Sequence, residues 1–445
     1  MIRWRRPYLR GEGGRLLASA KGLRLACILC LVLVQAASLR PAAAKAALPT
    51  AAPRPAAGTD LTPSGQRAHG TWVAADPIRR RHLLVWLAGD RRRGFSVFTR
   101  LLDSEGRPLS DPREVGEGMT AGVGFDRATG RYLVAYVQVG IIWGRLLDAE
   151  GRILGDPFPI AAFWYARNSA AWRPVISSDG GGNFLVVWSD RHLSRSDTST
   201  DVFFQFVSAA EGRPTGAARP ALSATRRAEY LGWRSVVYDP FHGRFIAVWH
   251  TGDRQGLEYR FIYPDGRMSE TRALGIRGLI PGVALDEKRK RLLLTWEDAE
   301  HREPRLRLFD LDFRPLAPEQ RLPGRQKGVD LINAAFDPVS DRYIVTWRND
   351  FDCCFFGQWV GPNGALIGKP FIAARLSGFR QLNFSLPRPG GGFLFFYEDF
   401  VTGPANAMHG VVRVRKLLPS APQTPAYIKP HPAVQQSVTL TPPAN

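Results

Sequence analysis

Cysteine is nearly missing from this chain: four among 445 residues, at positions 27, 30, 353 and 354. A disulfide scaffold is therefore excluded, and stability has to come from packing. Lysine is almost as rare, only eight of the 60 basic residues, so the net charge of +20 is carried by arginine. The eight histidines, at 69, 82, 192, 242, 250, 301, 409 and 431, never fall in an H-x-H or H-E-x-x-H spacing, which removes the common zinc motifs. No D-x-D-x-D-G calcium loop, G-x-S-x-G elbow or glycine-rich phosphate loop occurs, and no cofactor is expected. What the chain has in quantity is 44% apolar residues with only 22% charged, which excludes a wholly disordered polymer, and 44 Gly with 34 Pro, which argues against a mainly helical one.

The N-terminus reads as an address. Residues 1–24 hold Arg3, Arg5, Arg6, Arg10, Arg15, Lys21 and Arg24 against Glu12 alone, and an uncharged apolar run follows over 25–37. As a helix that run rises about 20 Å, short of a bilayer core of about 30 Å. Basic flank, short apolar stretch and small residues afterwards make 1–44 a secretory signal. Cleavage is expected after Ala42-Ala43-Ala44, with Gln35-Ala36-Ala37 as the rival site, and a short membrane anchor is the competing reading. Arg5-Arg6 also fits a twin-arginine motif, so Sec and twin-arginine export both stay open.

Cleavage removes eight cations and one anion, leaving 20 − 7 = +13, with no transmembrane segment in the mature chain. The protein is then secreted, periplasmic or extracellular in a bacterial envelope. Export makes nucleic acid an unexpected partner, while the positive charge favours anionic envelope polymers. Cys27 and Cys30 leave with the signal. The adjacent Cys353 and Cys354 form either a vicinal disulfide or two buried thiols.

Between an Ala/Pro-rich linker, 45–65, and a Pro-rich disordered tail, 419–445, the chain repeats. Each unit is an apolar strand ending in Asp, a tight turn, and an apolar strand ending in an aromatic. Examples are Val123-Gly-Phe-Asp126 with Arg131-Tyr-Leu-Val-Ala-Tyr136, and Val236-Val-Tyr-Asp239 with Arg244-Phe-Ile-Ala-Val-Trp249. The aromatics stand at 86, 136, 188, 249, 296, 347 and 397, with gaps of 50, 52, 61, 47, 51 and 50. Six of them have Asp nine or ten residues earlier. A period near 50 suits four short strands and their turns. The fold expected over 66–418 is all-β, a seven-bladed β-propeller of four-stranded antiparallel sheets, which removes exposed sheet edges by closure. The seventh unit is one strand short; 59–66 or 436–441 closes the ring. The repeated Asp residues are expected to cap turns, and the aromatics to pack between sheets.

These repeats resemble the tandem D-x(4)-R-Y-L-V-V-W-x-D blades of secreted bacterial β-propeller proteins, through Asp126 with Arg131, Asp179 with Asp190, Asp239 with Arg244 and Asp337 with Arg342. The resemblance spans about 66–418 and implies an exported propeller rather than a chemistry.

Selectivity is expected where the repeat breaks down. In an A-B-C-D meander the A–B and C–D turns share one end, and the B–C and D–A loops share the other. The short A–B turns are uniform. The irregular loops surround blade 3: the B–C insertion 189–200 and the D–A segments on either side. Topology thus gathers Trp164, Tyr165, Trp172, Tyr230 and Trp233 with Arg173, Asp190, His192 and Arg234. Flat aromatics beside Arg and carboxylate suit sugar rings or a peptide segment. Trp172 and Trp233 are also placed to plug the channel mouth, and a second cluster gathers Asp350, Asp352, Cys353 and Cys354. The sequence supports an exported non-enzymatic binding or assembly module of the cell envelope, recognising a glycan or protein partner through this rim. The alternative is a glycan-active hydrolase or lyase, with two of Asp190, Asp298, Asp350 and Asp399 about 5–9.5 Å apart.

Overall fold

The computed structural model describes residues 58–90, 94–162, 172–190, 201–220, 229–252, 256–323, 329–349, 354–376, 383–402 and 408–419. These residues are all-β and form seven four-stranded antiparallel sheets, six of them A-B-C-D meanders and the seventh an A-B-C run whose outer strand comes from the N-terminal segment. The fourth and fifth sheets are joined edge to edge by one parallel bridge, Arg234 to Gly282. The A strands are Ala68–Asp76, Ala121–Asp126, Trp172–Ser178, Glu229–Asp239, Gly278–Asp286, Val329–Asp337 and Asn383–Pro387. Each touches the A strand of the next sheet, and the last touches the first, so the sheets stand as blades around a central channel. The chain is a seven-bladed β-propeller.

Stacking of blades explains the composition of the B strands. A blade buries both of its faces against neighbours, so its second strand reads as a continuous apolar run rather than an alternation. Arg131–Gln138, with sequence RYLVAYVQ, is buried at all six interior positions. The B-strand aromatics Trp86, Tyr136, Trp188, Trp249, Trp296, Trp347 and Tyr397 are all at most 2% exposed. Trp86 stacks on Phe98, Trp188 on Phe203 and Trp347 on Phe356, each on the adjacent C strand.

The repeated Asp residues hold the A–B turns. Asp76 Oδ1 accepts from the Ile78 and Arg79 amides, Asp126 Oδ1 from Thr129 N and Oγ1, and Asp239 Oδ1 from Phe241 and His242. The second oxygen often reaches the next blade: Asp126 Oδ2 accepts from Ser178 Oγ at 2.9 Å and Gly182 N at 3.0 Å, and Asp337 Oδ2 from Gly392 N. Asp76, Asp126, Asp239, Asp286 and Asp337 are each 0–1% exposed. The Asp179 turn, shorter by one residue, keeps its bonds local, to Gly181 and Asn183.

Closure uses the N-terminal segment. Thr59–Asp60 adds the outermost strand of the last blade, pairing Thr59 with Val414 and Asp60 with Arg413. The Leu61 amide donates to Val412 O at 2.8 Å, and the Leu61 side chain is fully buried. Segment 436–441 lies outside the described residues. At the opposite end of the same seam, Lys416 and Arg388 of blade 7 donate to Glu105 in a blade 1 turn, and hold its carboxyl down to about 2.

One position breaks the pattern. Four residues before each B-strand aromatic stand His82, Tyr132, Phe184, Phe245, Leu292, Tyr343 and Phe393. His82 is 3% exposed, and neither ring nitrogen has a hydrogen-bond partner. Burial lowers its pKa from 6.5 to about 4, against the opposing pull of Asp103 and Asp76. Below pH 6.5 the unfolded imidazole binds a proton that the folded one refuses until about pH 4, so His82 costs stability progressively as pH falls through that window. His82→Phe is expected to stabilise the fold by about 1–3 kcal/mol at pH 7 and to flatten the decline of Tm between pH 6.5 and 4; an unchanged slope refutes the assignment. Leu61→Ala is expected to cost about 2–5 kcal/mol, with hydrogen exchange rising first in Met408–Leu417 and Ala68–Asp76. Uniformly raised exchange would show that the seam is not the weak point.

Candidate functional site

The B–C and D–A ends of blades 3 and 4 meet at one mouth of the channel. Trp172 lies opposite Ser189 and Tyr230 opposite His250, in each case the residue following the B-strand aromatic. Trp172 and Tyr230 therefore hold equivalent positions on adjoining A strands. Arg173 follows Trp172 in the same strand, Trp233 and Arg234 lie in Glu229–Asp239, and Asp190 ends Asn183–Asp190, paired with Asp201. Trp164, Tyr165 and His192 lie outside the described residues, as do Asp350, Asp352 and Cys353 of the second cluster. Cys354 is buried in Cys354–Val360.

The A strands reach this end through β-bulges, and blade 4 has an enlarged one. In blades 1, 5 and 6 three residues of the A strand advance against two of the B strand: 69 to 72 against 87 to 85, 279 to 282 against 297 to 295, and 330 to 333 against 348 to 346. In blade 4 the step is five, 231 to 236 against 249 to 247. The extra residues cannot lie in the ladder, so the strand arches away from it. The arch presses against blade 5 so closely that a Cβ on Gly232 would sit 1.8 Å from Pro281 O.

Arg234 stands on the arch and turns inward. Its Nη1 donates to Ala334 O of blade 6 at 3.3 Å, and its guanidinium lies 5.5 Å from the Phe384 ring centroid of blade 7. It thus spans the channel, lining a cavity of about 190 Å³ with Trp72, Val123, Pro174, Val237 and Val283 among others. Some of its surface opens into that cavity, but protein rings it on every side. Burial alone holds its pKa down to about 10, and no acid offsets the loss of solvent. At neutral pH it remains a cation.

Several polar groups near this end serve the scaffold. His250 Nδ1 accepts from the Ile280 amide, and Glu398 Oε2 from the Gly70 amide, at equivalent bulge positions of the next blade. Both bulge residues have positive φ, 50° and 68°. Asp298 Oδ1 accepts from the Glu300 and His301 amides, and its partners keep the carboxyl below its usual range: burial raises it, while the His301 bonds and Arg305 outweigh that. Asp399 receives Phe400 N at 2.8 Å and Arg413 Nη1 at 2.5 Å. Among the described residues no three His, Cys, Asp or Glu side chains are grouped to hold a metal ion, and no helix is long and apolar enough to cross a membrane.

The backbone of Trp172, Tyr230 and Trp233 lies at this end of the A strands, as loop length and strand order in the sequence led one to expect. The inward turn of Arg234 was not legible there, because direction along an inner strand depends on bulge size; the long 188 to 249 interval is the one trace of irregularity in the sequence. Gly232→Ala is expected to cost about 1–3 kcal/mol through overpacking against Pro281, read as a lower Tm. An unshifted Tm would mean that the arch does not bear on blade 5.

No protein-family model matches this chain, and no curated protein sequence does. Solved structures resemble it in fold. An oligogalacturonate lyase in complex with manganese matches with a TM-score of 0.50 and 11% identity, over 81% of this chain and 93% of that one. A subtype N11 neuraminidase-like protein of A/flat-faced bat/Peru gives 0.46 and 10%, over 81% and 91%. The Dos1 propeller gives 0.46 and 9%, over 81% and 97%.

Proposed function

We propose that this propeller is an exported, non-enzymatic binding module of the bacterial cell envelope, which recognises a glycan or a protein partner through the rim of blades 3 and 4. The observation that carries the reading is the enlarged blade 4 bulge beside Trp172 and Tyr230: blades 1, 3, 5 and 6 carry a shorter bulge at this place and blades 2 and 7 carry none, so the inner strand of blade 4 is the most irregular. The B strand of blade 3 ends at Asp190 on this same end, before the insertion in the sequence, and Trp164, Tyr165, Trp233, Arg173 and His192 belong to the neighbouring stretches of chain. Aromatic and cationic side chains at such a rim provide stacking surfaces and directional donors. The scaffold bonds of Asp298, Asp399 and Glu398 favour binding over hydrolysis, since a general acid needs a carboxyl free to move its proton. The basic leader supports export, and the net positive charge supports attraction to anionic envelope polymers that weakens with salt.

A panel of envelope polysaccharides, probed with the mature chain and with Trp164→Ala and Trp233→Ala, tests this. At least one polysaccharide is expected to bind, with affinity falling tenfold or more in either variant. Binding indifferent to both substitutions would remove the rim from the reading. Release of new reducing ends or unsaturated sugar from a bound polysaccharide would replace it with the glycan-active alternative.

A further inference from the structure

We propose that the central channel is itself a binding site for a small organic monoanion, its carboxylate on Arg234 and its apolar body against the inner-strand side chains. This goes beyond recognition at the rim and needs only the closed ring and the arch of blade 4.

Three observations converge on it. A guanidinium carries several N–H donors in a planar fork matched to a carboxylate, yet among the described residues the one acceptor for Arg234 is the Ala334 carbonyl, 3.3 Å from Nη1. The group is ringed by protein without a carboxylate partner, unlike Arg244, which pairs with Asp239 and Asp312, or Arg289, which pairs with Asp286 and Asp341. It also faces an open cavity rather than packed side chains.

Cavity size and lining define the ligand class. At about 30 Å³ of liquid volume per water, the cavity of 190 Å³ holds roughly six waters, or an acid of a few carbons. Apart from Arg234 its side chains are apolar, among them Trp72, Val123, Val237, Val283 and Phe384. One fixed cation neutralises one negative charge. A dianion such as sulfate would leave one of its charges uncompensated by Arg234, which desolvation opposes. A monocarboxylate with a short hydrocarbon body matches that single charge and sets its body against these side chains. Such a group is found on a free short-chain acid or at the end of a larger ligand, and the chemistry at Arg234 is the same.

Calorimetric titration of the mature chain tests the site, using sodium butyrate, butyramide, sodium sulfate, and a tripeptide ending in valine as free acid or C-terminal amide, all at matched ionic strength. Butyrate or the tripeptide acid is expected to bind with one site per chain, and butyramide, sulfate and the tripeptide amide at least tenfold more weakly. Binding by butyrate identifies the free acid as the source, and binding by the tripeptide acid alone identifies a chain terminus. Arg234→Gln is expected to lower affinity at least tenfold. Val237→Phe, which fills the cavity with Arg234 in place, is expected to do the same and decides the matter if Arg234→Gln does not fold. No saturable carboxylate binding, equal binding of butyramide or sulfate, or full affinity in a folded Arg234→Gln or Val237→Phe chain would each overturn the proposal.

Discussion

Every blade of this protein is a sheet with two apolar faces, and no blade in a stack of such sheets can be last. A linear array would leave one face of each terminal blade in water, with Trp and Phe side chains exposed to it. Bending the stack into a ring is the solution that wastes no face, and it places the whole burden on one seam. That seam is crossed by packing of blade 7 against blade 1, with Leu394, Phe396 and Val412 joining the cluster that contains Leu83, Val85 and Trp86. It is tied at the outer edge by Thr59–Asp60 and Leu61, and at the turn end by Glu105 between Arg388 and Lys416. A two-residue strand contributes little through its own ladder. It acts instead by delivering Leu61 to a buried position and by turning the open ends of the chain into one continuous circuit.

The ring also explains why so many carboxylates are silent. A tight A–B turn exposes amides that must find acceptors where strands are buried on both sides, and Asp supplies one oxygen to its own turn, the other going to an Arg or His beside it or, at Asp126 and Asp337, across the interface. Solving that problem in successive blades produces a row of buried acids that looks like a catalytic array and is none. The same logic marks His82 as an exception: the slot holds Phe, Tyr or Leu in the other blades, and an imidazole with two unpartnered nitrogens fits its shape without meeting its chemistry.

How much was legible depends on which features repeat. The aromatic period, the capping Asp residues and the alternation of turns are imposed by every blade and are therefore visible as sequence. The seven sheets, their strand order and the uniform end of the propeller could be read from them. Bulges leave no residue signature: Gly70, Ile280 and Leu331 take the same place in the ladder with unrelated side chains. Whether Arg234 faced the rim or the channel depended on two additional residues in one bulge, a quantity that spacing between distant motifs does not resolve.

The arch of blade 4 has an electrostatic cost. Removing a guanidinium from water is unfavourable unless acceptors replace the solvent, and several arginines here meet the requirement with carboxylates or carbonyls, as Arg244 does with Asp239 and Asp312 and Arg131 with Ala209 and Ala210. Arg234 meets it with a single long bond and an aromatic face. The A strands are edge strands toward the channel, so their unpaired backbone groups face the same space and soften the penalty without cancelling a full charge. The cavity beside it then has to contain something that does, whether ordered water or an anion. Water solvates the guanidinium and its donors, and an anion would in addition neutralise the charge. A propeller that needed only a plugged channel would fill it with apolar side chains, as its blade interfaces are filled. A cation lining the channel cavity, on an arch found in one blade of the seven, is intelligible if the channel has an occupant of opposite sign.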